Sequence, residues 1–211
     1  MTVCASVSAF AQTEKKVAYG ILIDNTGSLR HQFDEVIMLG RGIVERTHQQ
    51  GAVSLFSFRL EGPRSRRASI SSDLEWSQDK DLVNRSLDNM FVMGGQTTLR
   101  DAISFMAQQL NQKVSNEKDV FAGKVIFLVT DGEDRGSRTN QQELIKALKE
   151  SGIQVLAIGL VNELPSAGGK VTKKEAMSLL DEISRETGGR AVFQESKTAD
   201  ADRLLTELFA K

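Results

Sequence analysis

The amino-acid sequence predicts an α/β fold: a doubly wound, mostly parallel sheet flanked by helices, with one antiparallel hairpin strand at its edge. Three segments of strand length, at residues 17–23, 124–130 and 153–160, are almost entirely apolar. Such runs are expected for strands that helices cover on both faces. Segments with helical periodicity separate them. Strands that alternate with helices in this way form parallel sheets.

The other elements follow from periodicity, glycine stops and capping residues. In chain order they are a helix at 28–48, a strand at 52–58, a short strand at 68–71 that completes the edge hairpin, helices at 79–90 and from Leu99, a helix at 139–150, a helix from 172 to 188 that begins with a capping box of Thr172 and Glu175, a strand at 190–194, and a helix at 199–210. We interpret the basic turn at 59–67 as a solvated hairpin tip, and we expect Trp76 and Phe91 to pack in the core or beneath a loop.

Length and charge limit the classes of function. The chain has 211 residues, a length typical of one domain. It carries 27 Lys and Arg residues against 28 Asp and Glu residues, a formal charge of −1. This balance does not favour nucleic acid or an anionic membrane as the main partner. Membrane insertion is also not expected, because no apolar run approaches the roughly 20 residues that a spanning helix needs.

The first eleven residues differ from the rest of the chain. They carry no charge and end in Ala9-Phe10-Ala11, a small-x-small pattern that a signal peptidase could cut before Gln12. We interpret residues 1–11 as the remnant of a signal peptide, 12–16 as a linker and 17–211 as a single domain. The predicted location is therefore outside the cytoplasm (periplasm, cell surface or medium), and cytoplasmic if the leader is not a signal. Cys4, the only cysteine, would leave with the leader.

Oxygen-bearing side chains gather at the carboxyl edge of the predicted sheet. Asp24, Thr26 and Ser28 alternate on the turn after the first strand, Asp131 follows the strand at 124–130, and Thr97 precedes a helix. Strand-to-helix loops share one edge of such a sheet, which is where ligands bind. Oxygen donors suit a hard cation such as Mg²⁺, Mn²⁺ or Ca²⁺. Asp24 taken alone is equally typical of a helix N-cap.

Three segments together resemble a known family. The sequence D-x-T-x-S at 24–28, GGQTTLRDAI at 94–103 and VTDG at 129–132 resemble, in order and spacing, the metal-ion-dependent adhesion site of von Willebrand factor type A domains. The stretches at 131–160 and 186–193 further resemble bacterial proteins of this family, of the acidobacterial type. The resemblance extends from about Lys16 to the end of the chain.

The resemblance implies a role for each of the five residues. The hydroxyls of Thr26, Ser28 and Thr97 would bind the cation directly, and Asp24 and Asp131 would act through water or switch into direct contact. Mg²⁺ is the expected ion, with Mn²⁺ or Ca²⁺ as alternatives. A protein partner would supply an Asp or Glu as the last ligand.

At two positions the match to the family pattern is not simple. Thr26 stands where the family usually has Ser, and its extra methyl group restricts the side chain. Thr98 is an alternative to Thr97, but the family pattern T-x-L-x-D-A favours Thr97.

Two loops on the same edge are candidates for partner contact. Glu133 and Asp134 follow Asp131, and Asn162 and Glu163 open a loop that extends to residue 171. We expect the loop of Glu133 and Asp134 to be solvated, with a second cation site as the alternative.

The sequence leaves three functions to compare: a metal-dependent binding module, a metal-dependent phosphohydrolase and a scaffold that does not need metal. A hydrolase of the D-x-D type would need Asp where Thr26 stands, and the chain has no P-loop motif. Both histidines lie on one predicted helix, so no nucleophile set with Cys4 or a serine can be assembled. The sequence therefore predicts a binding module that is not an enzyme.

Overall fold

The computed structural model describes residues 15–60, 68–95, 97–168, 170–196 and 200–210, and within them six strands form one mixed sheet. A 3-10 helix at Gly27–Gln32 precedes the first of six α-helices. The strands are β1 (Lys16–Asp24), β2 (Gly51–Leu60), β3 (Ala68–Ser77), β4 (Phe121–Thr130), β5 (Ile153–Leu160) and β6 (Arg190–Gln194). The helices are α1 (Phe33–Thr47), α2 (Lys80–Asp88), α3 (Leu99–Asn116), α4 (Gln141–Glu150), α5 (Lys173–Glu186) and α6 (Ala201–Leu208).

The sheet has the strand order β3-β2-β1-β4-β5-β6. All neighbouring strands are parallel except β3, which runs antiparallel to β2. The predicted fold class is thus confirmed, including the antiparallel edge strand. The chain leaves β1 for β2 on one side and later returns to place β4 on the other side of β1. This change of direction opens a crevice at the carboxyl ends of β1 and β4.

Helices cover both faces of the sheet, and β1 shows how the core divides. Ala18 and Leu22 belong to one buried cluster, together with residues of α3, α4 and α5. Tyr19, Ile21 and Ile23 belong to the other, with residues of α1, α2 and α6. Successive side chains of a strand point to opposite faces, so a strand with helices on both sides is apolar at every position.

Two elements and one residue differ from the sequence prediction. β3 extends to Ser77 instead of ending at residue 71, because an edge strand with one exposed face accommodates its polar residues. The helix expected from Ser28 begins as the 3-10 helix and becomes α-helical only at Phe33, a common arrangement at helix N-termini. Phe91 does not pack in the core: it follows α2 in a loop, and 64% of it is exposed.

The capping box of Thr172 and Glu175 at the start of α5 is confirmed. The predicted leader at 1–11 and most of the basic turn, residues 61–67, lie outside the described residues. In the described part of the chain, no helix is both long enough and apolar enough to cross a membrane.

We predict that Gly51→Ala destabilises the fold. A Cβ at Gly51, the first residue of β2, would overlap the backbone carbonyl oxygen of Val17 on β1. The backbone would have to shift, at a cost of about 3 kcal/mol in the free energy of unfolding. Gly123→Ala is the matched control, because its Cβ would meet only the Val17 side chain, at 3.3 Å. Urea unfolding of both variants measures the difference, and equal losses would contradict the prediction.

Candidate metal centre

The Asp24 carboxylate is held between the ends of β1 and β4. Asp24 is fully buried; its Oδ1 accepts a hydrogen bond from the backbone N–H of Thr26 (3.0 Å). Its Oδ2 accepts one from the hydroxyl of Thr130 (2.7 Å), the last residue of β4. One bond shapes the turn after β1 and the other connects two strands that are distant in sequence.

Three hydroxyl groups meet beside this turn. Thr26 Oγ1 lies 3.0 Å from Ser28 Oγ and 3.4 Å from Thr97 Oγ1. Thr26 and Thr97 are buried, whereas Ser28 is exposed. The cluster of three hydroxyls therefore reaches the surface at Ser28. A Cβ built on Gly27 would lie 3.7 Å from the Cα of Gly94, which shows that the two loops pack closely.

Thr98, the alternative to Thr97, is placed differently. It is also fully buried, but its hydroxyl has no hydrogen-bond partner among the described residues. The structure therefore joins Thr97, and not Thr98, to the hydroxyl of Thr26.

Asp131 follows β4 and presents a free acceptor. Its Oδ1 accepts a hydrogen bond from the backbone N–H of Glu133 (2.9 Å). Its Oδ2 is buried and, within the described part of the chain, has no hydrogen-bond partner. Buried carboxylate oxygens without a partner are unfavourable and call for an explanation, such as a bound ion.

The two carboxyl groups affect each other. Burial, and then the negative charge of Asp131, raise the pKa of Asp24 to about 7, against the hydrogen bonds from Thr130 and Thr26, which lower it. Burial also raises the pKa of Asp131, while the Ser28 side chain lowers it. A bound cation would act in the opposite direction, because a nearby positive charge favours the ionised form of a carboxyl group.

The loop after β4 is fixed against the loop before α3. The backbone N–H groups of Arg135 and Gly136 donate to the carbonyl oxygen of Thr97, at 3.1 and 3.2 Å. Arg100 Nε donates to Asp134 Oδ2 at 2.6 Å. These bonds fix the position of the Thr97 loop relative to the Asp131 loop.

The expectation of a solvated loop at Glu133 and Asp134 is wrong. Their side chains are only 7% and 4% exposed, because Glu133 pairs with Arg135 and Asp134 pairs with Arg100. Both carboxylates hold the loop in place. Asn162 and Glu163 follow β5, on the same sheet edge as Asp131; Glu163 is exposed and Asn162 is half-buried.

Sequence reasoning missed two residues that build the centre. Thr130 is the last residue of β4, and a hydroxyl at the end of a buried strand, next to Asp131, is a signal for a polar contact. Asp101 lies in the first turn of its helix, α3. Its carboxylate also accepts from the backbone N–H groups of Arg138 and Thr139 and from the Thr139 hydroxyl (2.6 Å), in the loop that follows Asp131.

The donors present fit a hard divalent cation. Two carboxylates and three hydroxyls are all oxygen ligands, the type that Mg²⁺, Mn²⁺ and Ca²⁺ prefer. No group of three or more His, Cys, Asp or Glu side chains that could hold a metal occurs among the described residues. The unpartnered Asp131 Oδ2 is the feature that a cation would explain best.

A comparison with protein families matched residues 20–210 to the von Willebrand factor type A domain. A comparison with curated proteins gave no match.

Solved structures with the same fold come from distant proteins. The pilus adhesin SpaC from Lactobacillus rhamnosus GG, in an open conformation, is 14% identical with a TM-score of 0.66, over 93% of this chain and 29% of SpaC. Proximal thread matrix protein 1 from the mussel byssus, with a zinc-occupied MIDAS motif, is 16% identical with a TM-score of 0.67, over 92% of this chain and 46% of that protein. The conserved hypothetical protein BatB from Bacteroides thetaiotaomicron is 15% identical with a TM-score of 0.60, over 92% and 97% of the two chains. The chain therefore spans less than half the length of the adhesin and of the byssus protein.

We predict that Asp101→Ala destabilises the domain. The substitution leaves the N–H groups of Arg138 and Thr139 without their acceptor, at a cost of about 2 kcal/mol in the free energy of unfolding. Asp119→Ala, at an exposed position, is the control and should change the stability little. Both are measured by urea unfolding. A loss no larger than that of the control would show that Asp101 does not hold this loop.

Proposed function

The chain belongs to the von Willebrand factor type A domain family, and on this premise we propose that it is a divalent-cation-dependent module that captures a protein partner through an Asp or Glu of that partner. The observation that carries the proposal is the buried, unpartnered Asp131 Oδ2 at the same sheet edge as a cluster of three hydroxyls. Structural neighbours that include a pilus adhesin and a protein with a zinc-occupied MIDAS motif support it.

Five residues would hold the cation: Asp24, Thr26, Ser28, Thr97 and Asp131. We propose Mg²⁺ as the ion, with Mn²⁺ or Ca²⁺ as alternatives, because all the donors are oxygens. When bound, the cation supplies a positive charge that attracts a carboxylate. Neutral hydroxyls neutralise little of that charge, so it remains available to the partner.

The proposal assigns no catalytic residue. His31 is exposed near the start of α1, and the Nδ1 of His48 lies 3.0 Å from the carbonyl oxygen of Val44, within the last turn of that helix. Among the described residues, no hydrogen bond or ion pair joins either histidine to a residue of the candidate metal centre. Nucleic acid is not a proposed partner, in view of the net charge of −1.

The partner surface would surround the cation at the carboxyl edge of the sheet. We propose that Asn162 and Glu163 contribute to it, because the loop after β5 opens on that edge and leaves Glu163 exposed. Glu133 and Asp134 would support this surface from within, through their ion pairs. We also propose that the domain works outside the cytoplasm, as a pilus adhesin and a byssus matrix protein do by their names.

We predict that Mg²⁺ raises the melting temperature. A ligand that binds only the native state stabilises it by about 2.7 kcal/mol at one hundred times its dissociation constant. For a domain of this length, that corresponds to a shift of roughly 5–10 °C. Thr97→Val should remove most of the shift, since it deletes one hydroxyl of the cluster and preserves the side-chain shape.

Thr98→Val is the matched control for this melting experiment. It alters the adjacent buried threonine, whose hydroxyl has no partner among the described residues, and should keep the shift. Melting temperatures that Mg²⁺, Mn²⁺ and Ca²⁺ all leave unchanged in the wild type would exclude a metal-dependent module and favour the metal-independent scaffold.

We predict that partner capture depends on both the cation and Asp131. The immobilised full chain should retain a protein from an envelope extract in Mg²⁺ and release it in EDTA, and Asp131→Ala should retain none while remaining folded by circular dichroism. Capture that persists in EDTA and in Asp131→Ala would show that the partner binds another face.

A further inference from the structure

A small cavity of about 180 Å³ lies beside the candidate metal centre. Asn25, one of its lining residues, stands between Asp24 and Thr26 in the turn that forms the centre. The carbonyl oxygen of Asn25 accepts a hydrogen bond from the backbone N–H of Met93 (2.9 Å), which fixes the wall formed by residues 89–93. The cavity and the candidate metal centre thus share one turn of the chain.

Asn25, in the wall of the cavity, carries a hydrogen-bond acceptor that is not used. Asn25 is only 5% exposed, and its Oδ1 has no hydrogen-bond partner within the described parts of the chain. A buried amide oxygen without a partner costs free energy, so a ligand that donates to it would be favoured.

Asp73 on β3 adds a carboxyl group to the wall of the same cavity. Its Oδ2 accepts a hydrogen bond from the backbone N–H of Ser57 (2.6 Å) on β2. Among the described residues, no Lys, Arg or His forms an ion pair with it. Burial raises the pKa of the Asp73 carboxyl, and the bonds from Ser57 only partly oppose this. A carboxylate can accept further hydrogen bonds, so Asp73 retains capacity for a ligand.

The rim of the cavity is apolar and exposed. Phe91 is 64% exposed and Met93 is 45% exposed, although both are large hydrophobic residues. Apolar surface of this kind can cover the methylene stem of a long cationic side chain while the charged end reaches deeper acceptors. An arginine could also lie over the ring of Phe91.

We propose that this cavity receives a Lys or Arg side chain of the protein partner, which would donate to Asn25 Oδ1 and to the carboxylate of Asp73. The inference rests on the proposed function, since the same partner supplies the acidic residue for the cation. The candidate metal centre would then attract a negative group and the adjacent cavity a positive one. The partner segment therefore carries an acidic and a basic residue close together.

The test is a selection of displayed peptides on the full chain. Seven-residue peptides with a fixed central Asp and random flanking positions are selected in Mg²⁺ and eluted with EDTA. We expect Lys or Arg to be enriched at one flanking position. The most enriched peptide should bind Asp73→Asn about tenfold more weakly than wild type, as expected for the loss of a hydrogen bond between charged groups.

A double-mutant cycle separates the basic contact from other effects of the substitution. The peptide with its Lys or Arg changed to Ala should bind wild type and Asp73→Asn with equal affinity. Phe91→Lys, at an exposed rim position, should weaken the parent peptide by charge repulsion. Val120→Lys is its matched control and should have no effect on binding. Val120 is an exposed apolar residue just before β4, at the amino ends of the strands and away from the cavity.

The outcomes distinguish this inference from the proposed function. EDTA-eluted peptides without enrichment of basic residues, or with equal affinity for wild type and Asp73→Asn, would overturn the cavity assignment and leave the metal bridge in place. If EDTA elutes no Asp-containing peptide, the metal bridge itself fails, and the cavity assignment fails with it.

Discussion

The hydrogen bond from the Thr130 hydroxyl to Asp24 Oδ2 is the contact on which the candidate site depends. It joins the ends of β1 and β4 at the point where the sheet changes direction. Parallel pairing of these strands brings together two loops more than one hundred residues apart. Because a paired central strand moves little, the carboxyl groups of Asp24 and Asp131 are held close to each other despite their repulsion.

Holding two carboxyl groups in a buried place costs stability, and the surrounding contacts show how the fold tolerates it. Hydrogen bonds from Thr26, Thr130 and the N–H of Glu133 satisfy three of the four carboxylate oxygens. The fourth, Asp131 Oδ2, has no partner among the residues described. In the proposed function, an additional ligand would bind at this oxygen, and a cation would also lower the repulsion between the two groups.

The sequence predicted the architecture because each strand and helix has its own local pattern. The crossover of β1 to β4 followed from general rules for α/β sheets, and it placed Asp24 and Asp131 at one edge. The length of β3 and the roles of Asp101 and Asp134 could not be predicted in the same way. The carboxylates of Asp101 and Asp134 bind groups 34 to 38 residues away in the chain. No local sequence pattern indicates such a contact.

Thr26 is another residue whose surroundings could not be predicted from the sequence, and its placement bears on which partner segment would bind. The sequence indicated that its extra methyl group restricts the side chain. The structure shows that its hydroxyl nevertheless lies within 3.4 Å of both the Ser28 and the Thr97 side-chain oxygens, and that the residue is buried. The methyl group is therefore accommodated inside the turn that also carries Asn25. In the proposed site, a cation held mainly by neutral hydroxyls would keep its positive charge, and the cavity beside it, lined by Asn25 and Asp73, would offer hydrogen-bond acceptors. Two neighbouring sites of opposite preference would select the orientation of a bound segment as well as its composition, because a segment with its charges reversed would place each charge at the wrong site.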